Sequence, residues 1–283
     1  MARSDPIANE LSVNASLETA SVSVRNVVCE GGCAHRSPEE CAASTYLVFP
    51  YRGLYVRHVG SDQAVADANH VVFFNADEGY RIAHPVEGSD ASLSVQVAAP
   101  LLEELAPASL LDQRATPGFR THHRRIDPGA QAMVALLRHR LEQGTMEPLE
   151  AETLLLNLVG RSLGPRTSHA PEATQGQRRL ADRVKVLLAS DVSRRWSLAD
   201  VGAEIGASPV YLTQVFQRVE GIPLYRYQLR LRLARALDLM ATQEDLSALA
   251  ADLGFSSHSH FTAVFRQAYG QSPADFRRST RRT

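Results

Sequence analysis

Leu198-Ala199-Asp200-Val201-Gly202-Ala203-Glu204-Ile205-Gly206 and Leu246-Ser247-Ala248-Leu249-Ala250-Ala251-Asp252-Leu253-Gly254 are two copies of one pattern, 48 residues apart. Leu198, Val201 and Ile205 in the first, and Leu246, Leu249 and Leu253 in the second, put an apolar stripe along one face of a helix. Each stripe stops at a glycine, the residue best suited to the left-handed conformation that ends a helix. Gly202 and Ala250 are small where a second helix crossing the first would make contact. After the turn, Ser208 in the first copy and Ser256 or Ser257 in the second supply N-caps. The next helices carry Leu212, Val215 and Phe216, then Phe261, Val264 and Phe265, with the spacing now 49, as if the second turn had gained a residue. Gly221-Ile222-Pro223 and Gly270-Gln271-Ser272-Pro273 close the copies. Each copy predicts helix, tight turn, helix. That motif places the N-terminal half of its second helix at the base edges of the major groove.

Pro223 to Met240 lies between the copies and predicts one continuous helix, with Pro223 in its first turn. Arg226, Arg230, Arg232 and Arg235 alternate there with leucines. Eighteen residues give a rod of about 27 Å, able to hold two recognition helices about one DNA turn, roughly 34 Å, apart. A single helix-turn-helix pattern arises in many small helical bundles. Two in tandem, with matched apolar positions and matched terminators, are far more specific.

Residues 180–278 resemble the DNA-binding domain of the AraC/XylS family of transcription regulators. The resemblance is carried by Trp196-Ser197-Leu198-Ala199-Asp200-Val201, Ser208-Pro209-Val210-Tyr211-Leu212, Phe216 with Gly221-Ile222-Pro223, and Arg230-Leu231-Arg232-Leu233-Ala234-Arg235-Ala236-Leu237. It continues through Gly254-Phe255-Ser256, Phe261, Phe265, Gly270, Ser272-Pro273 and Phe276-Arg277. It covers about a third of the chain and includes both units and the connecting helix. The resemblance implies base-reading positions at Val210, Thr213 and Gln214, and at Ser257, His258, Ser259, His260 and Thr262, with Ala263 at their edge. Gln214, His258, His260 and the two threonines can bond to base edges, whereas Val210 offers only apolar contact, for example with a thymine methyl. Arg218, Arg266, Arg277 and Arg278 are candidates for phosphate contacts or for solvated surface. Trp196, Phe216, Phe255, Phe261 and Phe265 read as core, and Tyr211 as a packing residue at a phosphate edge. The partners implied are double-stranded promoter DNA, a second copy of the chain in a homodimer, and RNA polymerase where the protein activates.

Charge is divided along the chain. Residues 175–283 hold sixteen basic and ten acidic side chains, a net +6, while residues 1–174 carry −7 and the whole chain −1. Only one end is built to meet a polyanion. Of thirty basic residues a single one, Lys185, is lysine; arginine makes the better bidentate phosphate and guanine contacts, although genomic composition explains the bias equally. At 283 residues, 44% hydrophobic and 22% charged, the chain fits two globular domains. No apolar run approaches the roughly 18 residues of a membrane span. The mixed, acidic-polar stretch Met1–Leu17 lacks a signal pattern, so a cytoplasmic protein without membrane partners is expected.

Residues 22–99 read as short strands, with Tyr46–Phe49, Leu54–Val59, His70–Phe74 and Leu93–Val97 bounded by Pro50, Gly53, Gly60, Asn75-Ala76-Asp77 and Gly88-Ser89-Asp90. Their spacing predicts a β-barrel or sandwich. Residues 129–163 read as helical, with Met133, Leu136, Leu137 and Leu141 on one stripe and a second segment, 147–163, more apolar than one face requires. Packing on the barrel, dimerisation, or both would use that surplus. Residues 164–177 lack periodicity and read as a linker. The expected organisation is therefore α+β: a sensor and dimerisation domain over 1–163, the linker, and an all-α DNA-binding domain over 178–283. The N-terminal part, notably Asn69–Phe74 through Tyr80–Pro85, resembles the cupin-like barrels of such regulators, more loosely than the C-terminal match.

All three cysteines fall within a short stretch, Cys29, Cys33 and Cys41, with His35 among them. Together these four offer soft donors for zinc or another soft divalent metal, and Gly31-Gly32 would let the chain wrap an ion. The spacing is not the common Cys-x2-Cys, and Cys41 reads equally as a small buried hydrophobe. His58, His70 and His84 lack the His-x-His spacing of a cupin metal centre. The leading reading is a regulator, not an enzyme, responding to a small ligand, metal or redox signal in its N-terminal domain. The alternatives are a cupin-type metalloenzyme with a DNA-binding appendage and a helical interaction module that binds no DNA. No Gly-x-Ser-x-Gly elbow or phosphate-binding glycine loop supports catalysis.

Overall fold

The computed structural model describes residues 11–30, 35–112, 117–164 and 173–280. The chain divides into two compact units, residues 1–165 with 277–283, and residues 166–276.

The first unit is mainly β. Its strands are β1 (Leu11–Glu18), β2 (Val22–Cys29), β3 (Glu40–Cys41), β4 (Tyr46–Arg52), β5 (Tyr55–Val59), β6 (Asp62–Ala66), β7 (His70–Phe74), β8 (Gly79–Ala83) and β9 (Asp90–Val97). Helix α1 (Ala99–Leu105) follows, then β10 (Leu111–Asp112), β11 (Gly118–Phe119), β12 (His123–Arg125), α2 (Pro128–Gln143) and α3 (Pro148–Leu163). Among the described residues, one sheet has the order β1-β2-β9-β4-β7-β12 and the other β3-β8-β5-β6, with β10 and β11 pairing apart. Alternation assigns the two faces of the larger sheet. Leu47, Phe49, Val71, Phe73, Leu93 and Val95 point into a core closed by Val134, Leu137, Leu155 and Leu158 of α2 and α3. Val48, Val72 and Phe74 point the other way, into a smaller core with Tyr55 and Ala66. Strands β4 and β7 thus bury both faces, which is why they read as continuous apolar runs.

Three expectations change here. Strand β1 lies partly in the stretch read as mixed and polar. It is an edge strand held to β2 by backbone pairing, and its Leu11 and Val13 stay more than half exposed, so no buried face marks it. The buried stripe of α2 is Ala130, Val134, Leu137 and Leu141, while Met133 and Leu136 of the expected stripe are only partly covered. The surplus leucines of α3 split: Leu155 and Leu158 are core, Leu154 and Leu156 pack at its margin, and Leu149 is exposed.

The second unit is helical: α4 (Gln175–Ser190), α5 (Leu198–Ile205), α6 (Pro209–Glu220), α7 (Leu224–Leu239), α8 (Leu246–Asp252), α9 (His258–Tyr269) and α10 (Pro273–Thr280), whose end passes out of the unit. Helix α4 begins inside the stretch expected to be linker. Thr174 Oγ1 accepts from Gln177 N and Gln177 Oε1 accepts from Thr174 N, a capping box that starts the helix at Gln175. Pro223 is the N-cap of α7 with extended ψ, not a member of its first turn; at 16 residues the rod is about 24 Å long. Trp196, expected in the core, is half-buried. Its Nε1 donates to Asp191 O, and the Arg194 guanidinium lies 3.8 Å over its ring. Phe216, Phe255, Phe261 and Phe265 are buried as expected.

Candidate functional site

The two helix-turn-helix units start from the same local chemistry. In the first, Ser197 and Asp200 form a capping box that opens α5, Gly206 closes it at φ +72°, and Ser208 caps α6 by accepting from Tyr211 N. In the second, Asp245 caps α8 by accepting from Ser247 N and Ala248 N, Gly254 sits at φ +75°, and Ser257 caps α9 by accepting from His260 N. The open choice between Ser256 and Ser257 as cap falls to Ser257. In the second turn, one residue longer than the first, Phe255 is buried beside Phe261, with ring centroids 5.0 Å apart. A Cβ at Gly202 would come within 2.8 Å of Ala207 O, so the close approach of α5 to the turn needs glycine.

The outward side of α6 presents Val210, Tyr211, Gln214 and Arg218, all exposed, and that of α9 presents His258, Ser259, His260, Ala263 and Arg266. Val210, 68% exposed, is an apolar side chain left open to solvent in the first turn of α6. Ser257 is exposed, with its hydroxyl used as the cap. His260 Nδ1 lies 3.0 Å from Ser256 Oγ and its ring edges onto Phe255, so it is held in one orientation. The two threonines fit base reading less well. Thr213 Oγ1 donates to Pro209 O at 2.8 Å, back along its own helix, and Thr262 Oγ1 is buried without a hydrogen-bond partner.

Arg232, at mid-α7, fixes one unit to the other. It donates to Val192 O, Ser193 O and Arg194 O ahead of α5, and to Gly254 O in the second turn. Arg195 Nε donates to the same Gly254 carbonyl, and Gln228 Nε2 to Arg194 O. A Cβ at Gly254 would lie 2.1 Å from Ser193 O. The two helix-turn-helix units are thus tied through backbone carbonyls and one close glycine contact.

A helix-turn-helix domain family model matches residues 201–279. The regulatory protein PocR of Salmonella typhimurium is 30% identical over 126 residues, 43% of this chain and 42% of that protein. The HTH-type transcriptional regulator GadX of Escherichia coli is 25% identical over 236 residues, 83% of each chain. The second unit is an AraC-type helix-turn-helix domain. A solved transcriptional regulator of Chromobacterium violaceum, described as having an AraC-type DNA-binding domain, is 24% identical over 38% of this chain and 98% of its own, with a TM-score of 0.36. The match to PocR thus spans about two-fifths of that protein's length.

Outside the AraC-type domain, the first unit encloses a cavity of about 580 Å³ between its sheets, within the range of small-molecule sites. Alternation points Ser23, Arg25, Val27 and Cys29 of β2 into it, and Asp90, Ser92, Ser94 and Gln96 of β9 beside them. Tyr46, Tyr55, Phe74 and Tyr80 supply an aromatic wall. Cys29, His35 and Cys41 all line this cavity, and Cys33 lies outside the described residues. Among the described residues, the metal-binding donor types that come together are those of Cys29, His84 and Asp90. One ligand atom each of Cys29, His84 and Asp90 lies within 4.8 Å of the others. His84 Nε2 stands 2.9 Å from Asp90 Oδ2, an ion-pair contact between two largely buried groups. The Asp90 carboxylate and the Cys29 sulfur raise the His84 pKa to about 10. Spacing along the chain does not bring out this group, because the antiparallel ladder, not chain proximity, places Asp90 opposite Cys29.

Proposed function

We propose that this chain is a transcription regulator that binds promoter duplex through α6 and α9 of its AraC-type domain and takes its signal in the N-terminal cavity. The tandem pair of exposed, capped second helices, tied together by Arg232, carries the reading. Val210, Gln214, His258, Ser259 and His260 are the base-facing set; the hydroxyls of Thr213 and Ser257 serve the helices' own structure, that of Thr262 is buried, and Arg218 and Arg266 meet phosphate. The basic C-terminal part supports contact with a polyanion, and the GadX match, which spans both units, supports a regulator throughout. The exposed Leu149 and half-covered leucines of α3 are the surface a homodimer would use. Work in the cytoplasm follows from a DNA partner, and no helix among the described residues is long and apolar enough to cross a membrane. RNA polymerase becomes a partner where the protein activates. The metalloenzyme alternative gains nothing from the relatives reported, which are regulators.

The test is binding of the full chain to the promoter upstream of its own coding sequence. Gln214→Ala and His258→Ala each weaken specific binding by about 1–3 kcal/mol and leave non-specific binding unchanged. Arg218→Ala and Arg266→Ala weaken both and flatten the salt dependence by about one unit of slope each. Equal affinity of wild type and all four variants for promoter and random duplex defeats the reading.

A further inference from the structure

We propose that Cys29, His84 and Asp90 form a site for one zinc-class divalent cation, with its fourth coordination position facing the N-terminal cavity. The three donors come from separate places in the fold. Cys29 ends β2, Asp90 begins β9, and His84 follows β8. Register puts Cys29 directly across from Asp90, and His84 completes a group whose ligand atoms lie within 4.8 Å of one another. Around tetrahedral zinc, with sulfur at about 2.3 Å and nitrogen or oxygen at about 2.0–2.2 Å, neighbouring donors sit roughly 3.2–3.7 Å apart. Small side-chain rotations bring the three to that spacing, and an inserted ion would part the 2.9 Å contact of His84 and Asp90.

Two features separate this trio from an ordinary core contact. Asp90 is 8% exposed and its Oδ2 faces the His84 imidazole at 2.9 Å with no hydrogen bond besides, fewer partners than a buried carboxylate oxygen usually holds. A cation between Asp90 and the two softer donors meets that need. All three residues also border the cavity, which gives an ion a way in. The donor chemistry sets the class: one thiolate, one imidazole and one carboxylate suit zinc and its borderline neighbours, not calcium or magnesium. Three protein ligands with one open position are the layout of a site that accepts an outside donor. Use of the ion as a signal rests on the regulator reading above; its binding does not.

The experiment is a cobalt(II) titration of the reduced, metal-stripped full chain, followed by the thiolate-to-cobalt charge-transfer band. Wild type is expected to saturate at one cobalt per chain with a tetrahedral spectrum. Cys29→Ser abolishes the band, and His84→Gln and Asp90→Asn weaken cobalt binding at least about tenfold, in keeping with lost ligation. Cys33→Ser and Cys41→Ser leave the band as it is. Circular dichroism of each apo variant separates lost ligation from lost fold, and the wild-type titration stands whichever variant fails to fold. No stoichiometric band in wild type overturns the proposal. So does a band that survives Cys29→Ser and disappears in Cys33→Ser or Cys41→Ser. Promoter binding measured on the same samples keeps the two readings apart: wild type that takes cobalt but ignores the promoter sinks the regulator reading and leaves the site standing.

Discussion

Gly254 has the least room to vary. Its φ of +75° is strained for any other residue, and an added Cβ would fall on the Ser193 carbonyl. Gly254→Ala is expected to cost about 1–3 kcal/mol from the backbone alone, with more from the clash; an unchanged melting temperature would show that the turn yields freely. Lys185 is the opposite kind of singular residue. Composition showed only that lysine is nearly absent; the fold shows where the one lysine went. It is buried, with Nζ 2.7 Å from Glu220 Oε1 and 3.1 Å from Asp182 Oδ1, tying α4 to the end of α6. Lys185→Met leaves the buried Glu220 carboxylate without that cation and is expected to cost about 3–5 kcal/mol, whereas adding Glu220→Leu regains most of it. Thermal denaturation of the single and double variants compares the two costs. A compact ammonium suits this tight two-carboxylate pocket, where a planar guanidinium would need other geometry.

Elements were legible where a repeating signal existed. Helices α5, α6, α8 and α9 follow their apolar stripes and terminal glycines, and α6 and α9 their serine caps, because those are local chemistry. Strands β4 and β7 showed as apolar runs because both their faces are covered. Strand β1, with no buried face, and the start of α4, set by a capping box rather than a stripe, gave weaker signals. The face of α2 was misjudged by about one position, since burial there depends on how the helix meets the sheet. Helix α7 shows the same gap in function: its arginines alternate evenly along the sequence, yet they do different things. Arg232→Ala, which loses bonds to carbonyls of both helix-turn-helix units, is expected to lower stability by about 1.5–3 kcal/mol. Arg226→Ala, exposed on the same helix, should stay within about 0.5 kcal/mol. Urea unfolding midpoints compare the pair directly, and equal values would remove Arg232 from its tying role.

Over the whole molecule, the C-terminal helix pairs could be read from sequence and the N-terminal trio could not. The positions proposed to face bases lie on two short helices, where spacing along the chain is spacing in space. The trio depends on strand pairing between distant segments, so a cluster of neighbouring cysteines drew attention away from His84 and Asp90. Net charge misleads in the same way: the total of −1 conceals a basic domain. The full chain is expected to release duplex as salt rises, with a slope of about −0.9 per phosphate neutralised; a flat salt response would show that the basic part does not reach the backbone. The second turn, one residue longer than the first, has a broader consequence. The two recognition helices of one chain carry different side chains and leave their turns differently. On the function proposed above, the stretch of duplex met by one chain cannot read the same in either direction, so each bound chain has a heading along the DNA.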